Sequence, residues 1–422
     1  MKRFILVLVC LGSASCLRLG FEAGGEEPAS LYDFTWTVSV LEDRQGDPQG
    51  DDQGLSLREA LLIAAQSDGS DLIRFDPATY PPENPTMLQL DRALPSVRDQ
   101  GTTLDGSGAG VVIDGGDADF GFLELFSDQA VVRGLTLRGF GATVLYVHGG
   151  EGITIADNLF EAATGHAIHV SDAAQVEIVD NVVERPAQDA LHLEGLRDSE
   201  ISSNSMVDIG ASALWLERSE SVVVADNTAK RTAANAFEVR DSTDIELLRN
   251  SVLLEDKAVR GMVLRAVTAT RVADNFIDPG SEWMLVLIDA SYNIVERNLI
   301  EGGDAGIVLE GDSDNNLLFQ NVITSCAYDG VYLHSGADDN VVVHNTTHAC
   351  PSGVVGELGT SQVQNNLRAD DDGFVDAAAY DFTLVPDSEH IDVGEDLGLD
   401  LLPDRPELFL GAAPDLGAVE SY

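Results

Sequence analysis

Lysine is almost missing from this chain: Lys2, Lys230 and Lys257 are the only three in 422 residues. With arginine they make 24 basic residues against 72 acidic ones, a formal charge of −48. A phosphate backbone needs a basic footprint, so nucleic-acid binding is excluded. Aromatic residues are sparse at 6%, and the longest apolar stretch near the N-terminus, Phe4 to Leu11, is eight residues long. A membrane-spanning helix needs about 20. What is plentiful is small and aliphatic. Hydrophobic residues make up 44%, enough to bury a large core and to exclude wholesale disorder, and 40 glycines imply many turns.

Lys2 and Arg3, the apolar stretch, and then Ser13, Ala14 and Ser15 form the charge, apolar core and small-residue cleavage pattern of a secretory signal over residues 1–15. Cys16 follows directly and resembles the lipidated cysteine of bacterial lipoproteins, although that family prefers Leu where this chain has Ser13. The expectation is export, with the chain either anchored through Cys16 or cleaved and released. Residues 16–33, with two adjacent glycines and Glu26-Glu27, read as a tether.

From the middle of the chain an asparagine recurs: Asn158, Asn181, Asn204, Asn227, Asn250, Asn275, Asn298, Asn321, Asn345 and Asn366. The intervals are 23, 23, 23, 23, 25, 23, 23, 24 and 21. Three residues before each stands an apolar side chain, from Ile155 to Val363, and two residues after the early ones stands another, as in Phe160, Val183 and Met206. A second element, apolar-x-apolar, occurs once per period as Leu145/Val147, Ile168/Val170, Leu191/Leu193, Leu214/Leu216 and Phe237/Val239. Alternation of period two, punctuated by Asn, Asp and Gly, predicts three short strands per period and a solenoid of stacked coils. Asn suits the corner because it tolerates the left-handed backbone region and its amide can bond to the Asn one coil above. At about 4.8 Å per coil, about eleven coils make a rod roughly 50 Å long. A leucine-rich repeat would need Leu-x-x-Leu-x-Leu, which does not occur.

On these residues the chain resembles the right-handed parallel β-helix of the pectate-lyase-like class, an all-β solenoid, from Phe34 to the C-terminus. Asn181 and its equivalents resemble that fold's asparagine ladder. The strand with Leu191 and Leu193 then corresponds to the first sheet, which floors the binding groove in carbohydrate-active members. Ser56-Leu57-Arg58-Glu59-Ala60-Leu61, Asp71-Leu72-Ile73-Arg74-Phe75, Leu104-Asp105-Gly106 and, near the C-terminus, Asp381-Phe382, Ser388, Ile391-Asp392 and Asp415-Leu416-Gly417-Ala418 resemble a large group of bacterial secreted β-helix proteins. The expected organisation is an N-terminal cap and first coil over 34–110, repeats over 111–366 and an irregular cap over 367–422.

A stack of coils ends in open sheet edges that need covering. Ser56 and Glu59 form a capping box opening a helix through about Ser67, with Leu61, Leu62 and Ala65 on its apolar face. Aligned on the repeat, Cys326 and Cys350 stand just before the groove strands of successive coils, within reach of a disulfide; the other reading is two buried free thiols.

If Leu191 and its equivalents point inward, the residue after each points out. That column is Glu124, Tyr146, His169, His192, Trp215, Glu238, Val263, Val286, Val308 and Tyr332. Two residues on, the next is Phe126, His148, Ser171, Glu194, Glu217, Arg240, Arg265, Ile288, Glu310 and His334. The column before is small, Ala167, Ala190, Ala213, Ala236 and Gly261, and the three columns together read as a flat floor with one wall of ionisable and aromatic groups. Five of the eight histidines, His148, His166, His169, His192 and His334, fall on this face or its rim.

Two readings follow. In the first the face binds polysaccharide: Tyr146 and Trp215 stack on a sugar ring while His148, His166, His169, Glu238 and Arg265 bind hydroxyls or carboxylates. Catalysis there would use Glu194 and Glu217 as an acid/base pair one coil apart, a glycosidase, or His192 as base with Arg240 or Arg265 neutralising a uronate, a lyase. In the second reading the same side chains form stacking ladders on a noncatalytic surface or structural protein such as an adhesin. An open groove with perturbed Glu194 or Glu217 would mark the enzyme; rings lying flat in a ladder would mark the rival. The motifs of the enzyme families are not matched: Gly165-His166 is followed by Ala167 where polygalacturonases have Gly, and the Asp-Pro-His of alginate epimerases and the Arg-x-Pro-x-x-Arg of pectate lyases do not occur. The charge repels polyuronates unless Ca²⁺ bridges them. Ca²⁺ is the one candidate cofactor, at Asp312-Ser313-Asp314 or Asp370-Asp371-Asp372, set against plain solvated turns; no other metal-ligand set is read from the sequence. The expected partner is a polysaccharide, the membrane is met only through a lipid at Cys16, and the expected state is a monomer.

Overall fold

The structure is a computed structural model that describes residues 6–9, 17–20, 32–44, 54–255, 259–369, 374–376 and 381–385. Cys16, Asp370 to Asp372, Ser388 and the C-terminal motif at Asp415 lie outside them.

The chain winds into a right-handed parallel β-helix. One sheet of 13 strands holds the strand after the asparagine corner of every coil, and the other two faces run together as a sheet of 25 strands. Registers are in phase from coil to coil. Ile168, Leu191, Leu214, Phe237 and Met262 stack in one inward column, and Ile155, Ile178, Ile201, Val224 and Leu247 in another. All ten side chains are fully buried in one continuous core. The apolar alternation of each strand has therefore become the radial inside of a tube.

All ten asparagines line up along one edge. Each from Asn158 to Asn345 donates its Nδ2 to the Oδ1 of the next, at 2.8 to 3.1 Å. Each Oδ1 also accepts the backbone N–H of the Asn before it, as Asn227 does for Asn204. The left-handed residue expected at the corner is not the Asn. It is the residue before it, Asp157, Asp180, Ser203, Asp226 and onward, with φ between 49° and 58°. Asn is selected there for its bonds, since buried amides at the bend have no sheet partner. A second ladder escapes the sequence pattern. Between the other two faces, Ser219 and Ser242 cap amides of the preceding coil in one row, and Ser199 and then Asn293, Asn316 and Asn340 do so in a row three residues on. Its mixed Ser and Asn composition hides it.

The N-terminal part joins the stack directly: Phe34–Val38, Asp71–Phe75, Thr103–Asp105 and Val131–Arg133 pair in succession. The helix Leu57–Ala64 has the capping box of Ser56 and Glu59 and packs against the first two of these strands. It stops short of Ser67. Its buried face is Leu57, Ala60, Leu61 and Ala64, while Leu62 is half-buried and Ala65 exposed, because 3.6 residues per turn place 57, 61 and 64 on one side. No helix among the described residues is long and apolar enough to cross a membrane.

Cys326 and Cys350 are bonded across successive coils with their Cα atoms 4.6 Å apart. Closing a loop of 24 residues restricts the unfolded chain. The double replacement by serine is expected to lose about 3 kcal/mol, read as a lower urea midpoint against the oxidised wild type.

Candidate functional site

The site is laid down by four in-register strands, Ile168–Ala174, Leu191–Glu194, Leu214–Glu217 and Phe237–Arg240. Their outward positions align as His169, His192, Trp215 and Glu238, and as Ser171, Glu194, Glu217 and Arg240. With coils about 4.8 Å apart, side chains in one column must touch. They do so as a ladder. The Tyr146 ring packs on His148 at 3.6 Å and on His169 at 4.2 Å, and Phe126 stacks on His148 at 4.1 Å. Trp215 lies between His192 of the coil before, 5.9 Å away, and the Arg240 guanidinium of the coil after, 4.2 Å from its centroid. The ring faces expected to receive a sugar are thus occupied by neighbours.

The small column is not a floor. Ala167, Ala190, Ala213 and Ala236 are fully buried, and a Cβ built on Gly261 would meet Ile277 Cγ2 at 2.6 Å. These residues are small because they turn into the core. The outward column also changes character past Arg240. Val263, Val286 and Val308 are buried with Ile288 and Ala305 under Trp283 and Tyr332, a second apolar layer outside the sheet. His334 belongs there, against Trp283 and Tyr332 and 3.4 Å from Glu310, away from the other histidines. Arg265 stands in register one coil beyond Arg240.

The expected acid/base pair is neutralised. Arg218 reaches Glu194 at 2.5 Å and Glu217 at 3.1 Å. The hydrogen bond from His192 foremost, with Arg218, holds the Glu194 carboxyl below its ordinary range, where a general acid needs it raised. Arg240 is bonded to buried Glu238, which also accepts from Asn235 at 2.9 Å, so neither is free for a uronate. His192 has no lone nitrogen for a base: Nδ1 meets Asp189 Oδ2 and Nε2 meets Glu194 Oε1, both at 2.9 Å.

Asp189 is the residue the sequence did not point to. Besides His192 it takes the Ser212 N–H on Oδ1 at 2.9 Å, and its own backbone N–H donates to His166 Nδ1 at 3.2 Å. One acid, three residues before His192, thereby orients two histidines. The only trace in sequence is that i, i+3 spacing, unremarkable among 72 acids. The result is two overlapping donor sets, His169 with His192 and Glu194, and His166 with Asp189 and His192, the ligand atoms of each set lying within 4.8 Å of one another. His148 is one coil away, its Nε2 buried without a hydrogen-bond partner. In the turn at Asp312 to Asp314, Asp314 Oδ1 accepts the Asp338 N–H at 2.7 Å, and the Asp312 backbone N–H donates to Asp289 Oδ1 at 3.2 Å.

The electrostatics separate the three rings. Burial, aided by the charges of His192 and His166, pushes His169 down to about 4, and burial likewise lowers His166. Burial opposes charge on His192 too, but the bonds and charges of Asp189 and Glu194 outweigh it and raise its pKa. Imidazole NMR should therefore show His192 titrating above, and His169 well below, the ordinary value of about 6.5. The sign for stability follows. Between about 6.5 and 4 the unfolded chain takes a proton that folded His169 refuses, so this group's stability is lost as pH falls through that window. His192 acts oppositely, its contribution being present in acid and lost as pH rises through its raised pKa.

A family described as periplasmic copper-binding protein (NosD) matches residues 96–252 and 187–348. The chain belongs to the NosD family. Among solved structures, PfbA, a surface adhesin of Streptococcus pneumoniae, superposes with a TM-score of 0.55 at 12% identity, covering 75% of this chain and 91% of its own. The catalytic domain of a GH87 α-1,3-glucanase in complex with tetrasaccharides gives a TM-score of 0.51 at 12% identity over 81% of this chain and 70% of its own. At that identity both share the fold with this NosD-family chain. A search of curated proteins finds no match.

Proposed function

We propose that this is an exported, noncatalytic β-helix protein that binds a divalent transition metal, copper foremost, on the outer face of its first sheet. The triad His169, His192 and Glu194 carries the reading. Imidazole with carboxylate is the donor chemistry that suits Cu(II) and Zn(II), whereas Ca²⁺ prefers oxygen alone. Asp189 holds His192 through Nδ1–H, the carboxylate-to-histidine arrangement that orients a metal ligand, leaving Nε2 toward the triad. The description of the family as periplasmic and copper-binding agrees with this donor set and with the signal-like N-terminus; a lipid at Cys16 would keep the rod at the envelope. The test is calorimetric titration of metal-free protein with Cu(II), Zn(II) and Ca(II). Saturable Cu(II) binding that His169→Ala and Glu194→Gln both weaken is expected; equal binding by wild type and variants overturns the reading.

A second reading, noncatalytic polysaccharide binding, is favoured by an open groove of about 530 Å³ beside the same sheet, whose charged lining is Arg197, Arg218, Glu220 and Asp241, with Thr243 and Thr268 beside them. Guanidinium donors and carboxylate acceptors side by side suit the hydroxyls of a neutral sugar. Incubation with neutral and acidic glycans, following retention on the glycan, absorbance at 235 nm and reducing ends, should give retention without product. No retention on any glycan removes this reading.

A further inference from the structure

The two donor sets share one residue, and they meet it on opposite nitrogens. His192 Nδ1 faces Asp189 Oδ2 at 2.9 Å, and Nε2 faces Glu194 Oε1 at 2.9 Å. A second imidazole stands on each side, His166 at 4.4 Å and His169 at 4.8 Å between ring centroids. Both carboxylates are braced on their other oxygen, Asp189 by the Ser212 N–H and Glu194 by Arg218. Two further imidazoles and two anions around one ring exceed what one cation needs.

We propose that the site takes two divalent transition-metal ions, with His192 as the bridging imidazolate. This rests on the metal-binding reading above and extends it. One ion is held by His169, Glu194 and His192 Nε2, and the other by Asp189, His166 and His192 Nδ1. With the first ion on Nε2 the ring keeps its Nδ1–H, and it gives up that proton to solvent as the second ion replaces it. The second ion binds more weakly, because it displaces the proton shared with Asp189, competes with the Asp189 N–H for His166 Nδ1, and sits beside an existing positive charge. This side of the cluster explains why Asp189 is buried against two histidines.

The full-length wild type is titrated with Cu(II) and followed by electron paramagnetic resonance. The first equivalent should give the full signal of an isolated Cu(II) ion. The second, at least ~10-fold weaker, should reduce the total signal as the two spins couple through the ring. His166→Ala, with folding verified by its urea transition, should lose the second event. Saturation at one equivalent, or a second equivalent that adds to the signal, overturns the bridge while leaving metal binding in place. No copper signal at the protein overturns both.

Discussion

Replacing His192 by alanine is expected to lower Cu(II) affinity at least ~100-fold, since the substitution removes a direct ligand and even the loss of a residue orienting a ligand costs 10- to 100-fold. His192 is the one side chain common to both donor sets. Asp189→Asn should fall between wild type and His192→Ala, because the amide keeps the shape but no longer favours the Nδ1–H form. His334→Ala serves as the control, for its ring packs on Trp283 and Tyr332 beyond the cluster. Calorimetry on the four proteins checks the order. Wild-type affinity in His192→Ala would remove the site.

The largest loss of stability is expected from Asn227→Ala, in the middle of the corner ladder. The Asn227 amide donates to Ile201 O, Ala225 O and Asn250 Oδ1, and its oxygen accepts from Asn204 N and Nδ2. It is buried, so truncation leaves the Asn204 N–H without a partner or water and takes one bond each from Ile201 O, Asn250 Oδ1 and Ala225 O, which keeps the Ser203 N–H. The orphaned amide costs about 1–3 kcal/mol and each further lost bond about 1 kcal/mol, so the sum should reach about 3–5 kcal/mol. Asn366→Ala, at the half-buried end of the ladder, should cost about 1 kcal/mol. Urea unfolding compares the two; equal midpoints would mean that the ladder contributes nothing specific.

Much of the site was legible. The outward columns drawn from Leu145, Ile168 and Leu191 match the register, and four of the five groove histidines gather as their spacing implies. What was not legible depends on pairing rather than order. Glu194 and Glu217 stand one coil apart as expected, yet the hydrogen bond from His192 foremost, with Arg218 turning back between the two acids, reverses the expected shift at Glu194. The aromatic column was equally visible, but whether Trp215 meets a ligand or its neighbours depends on Arg240 folding over it from the next coil.

By itself the sequence determined the winding. A strict repeat of inward apolar positions and corner asparagines admits one stacking register, since a slip by one residue would turn every core side chain outward. Only the tertiary structure decided what the outer face is for. Long polar side chains have several rotamers and several partners within one coil spacing, and the choice among them, Asp189 to His192, Arg218 to both glutamates and Arg240 to Glu238, is made by packing between coils that no linear pattern records.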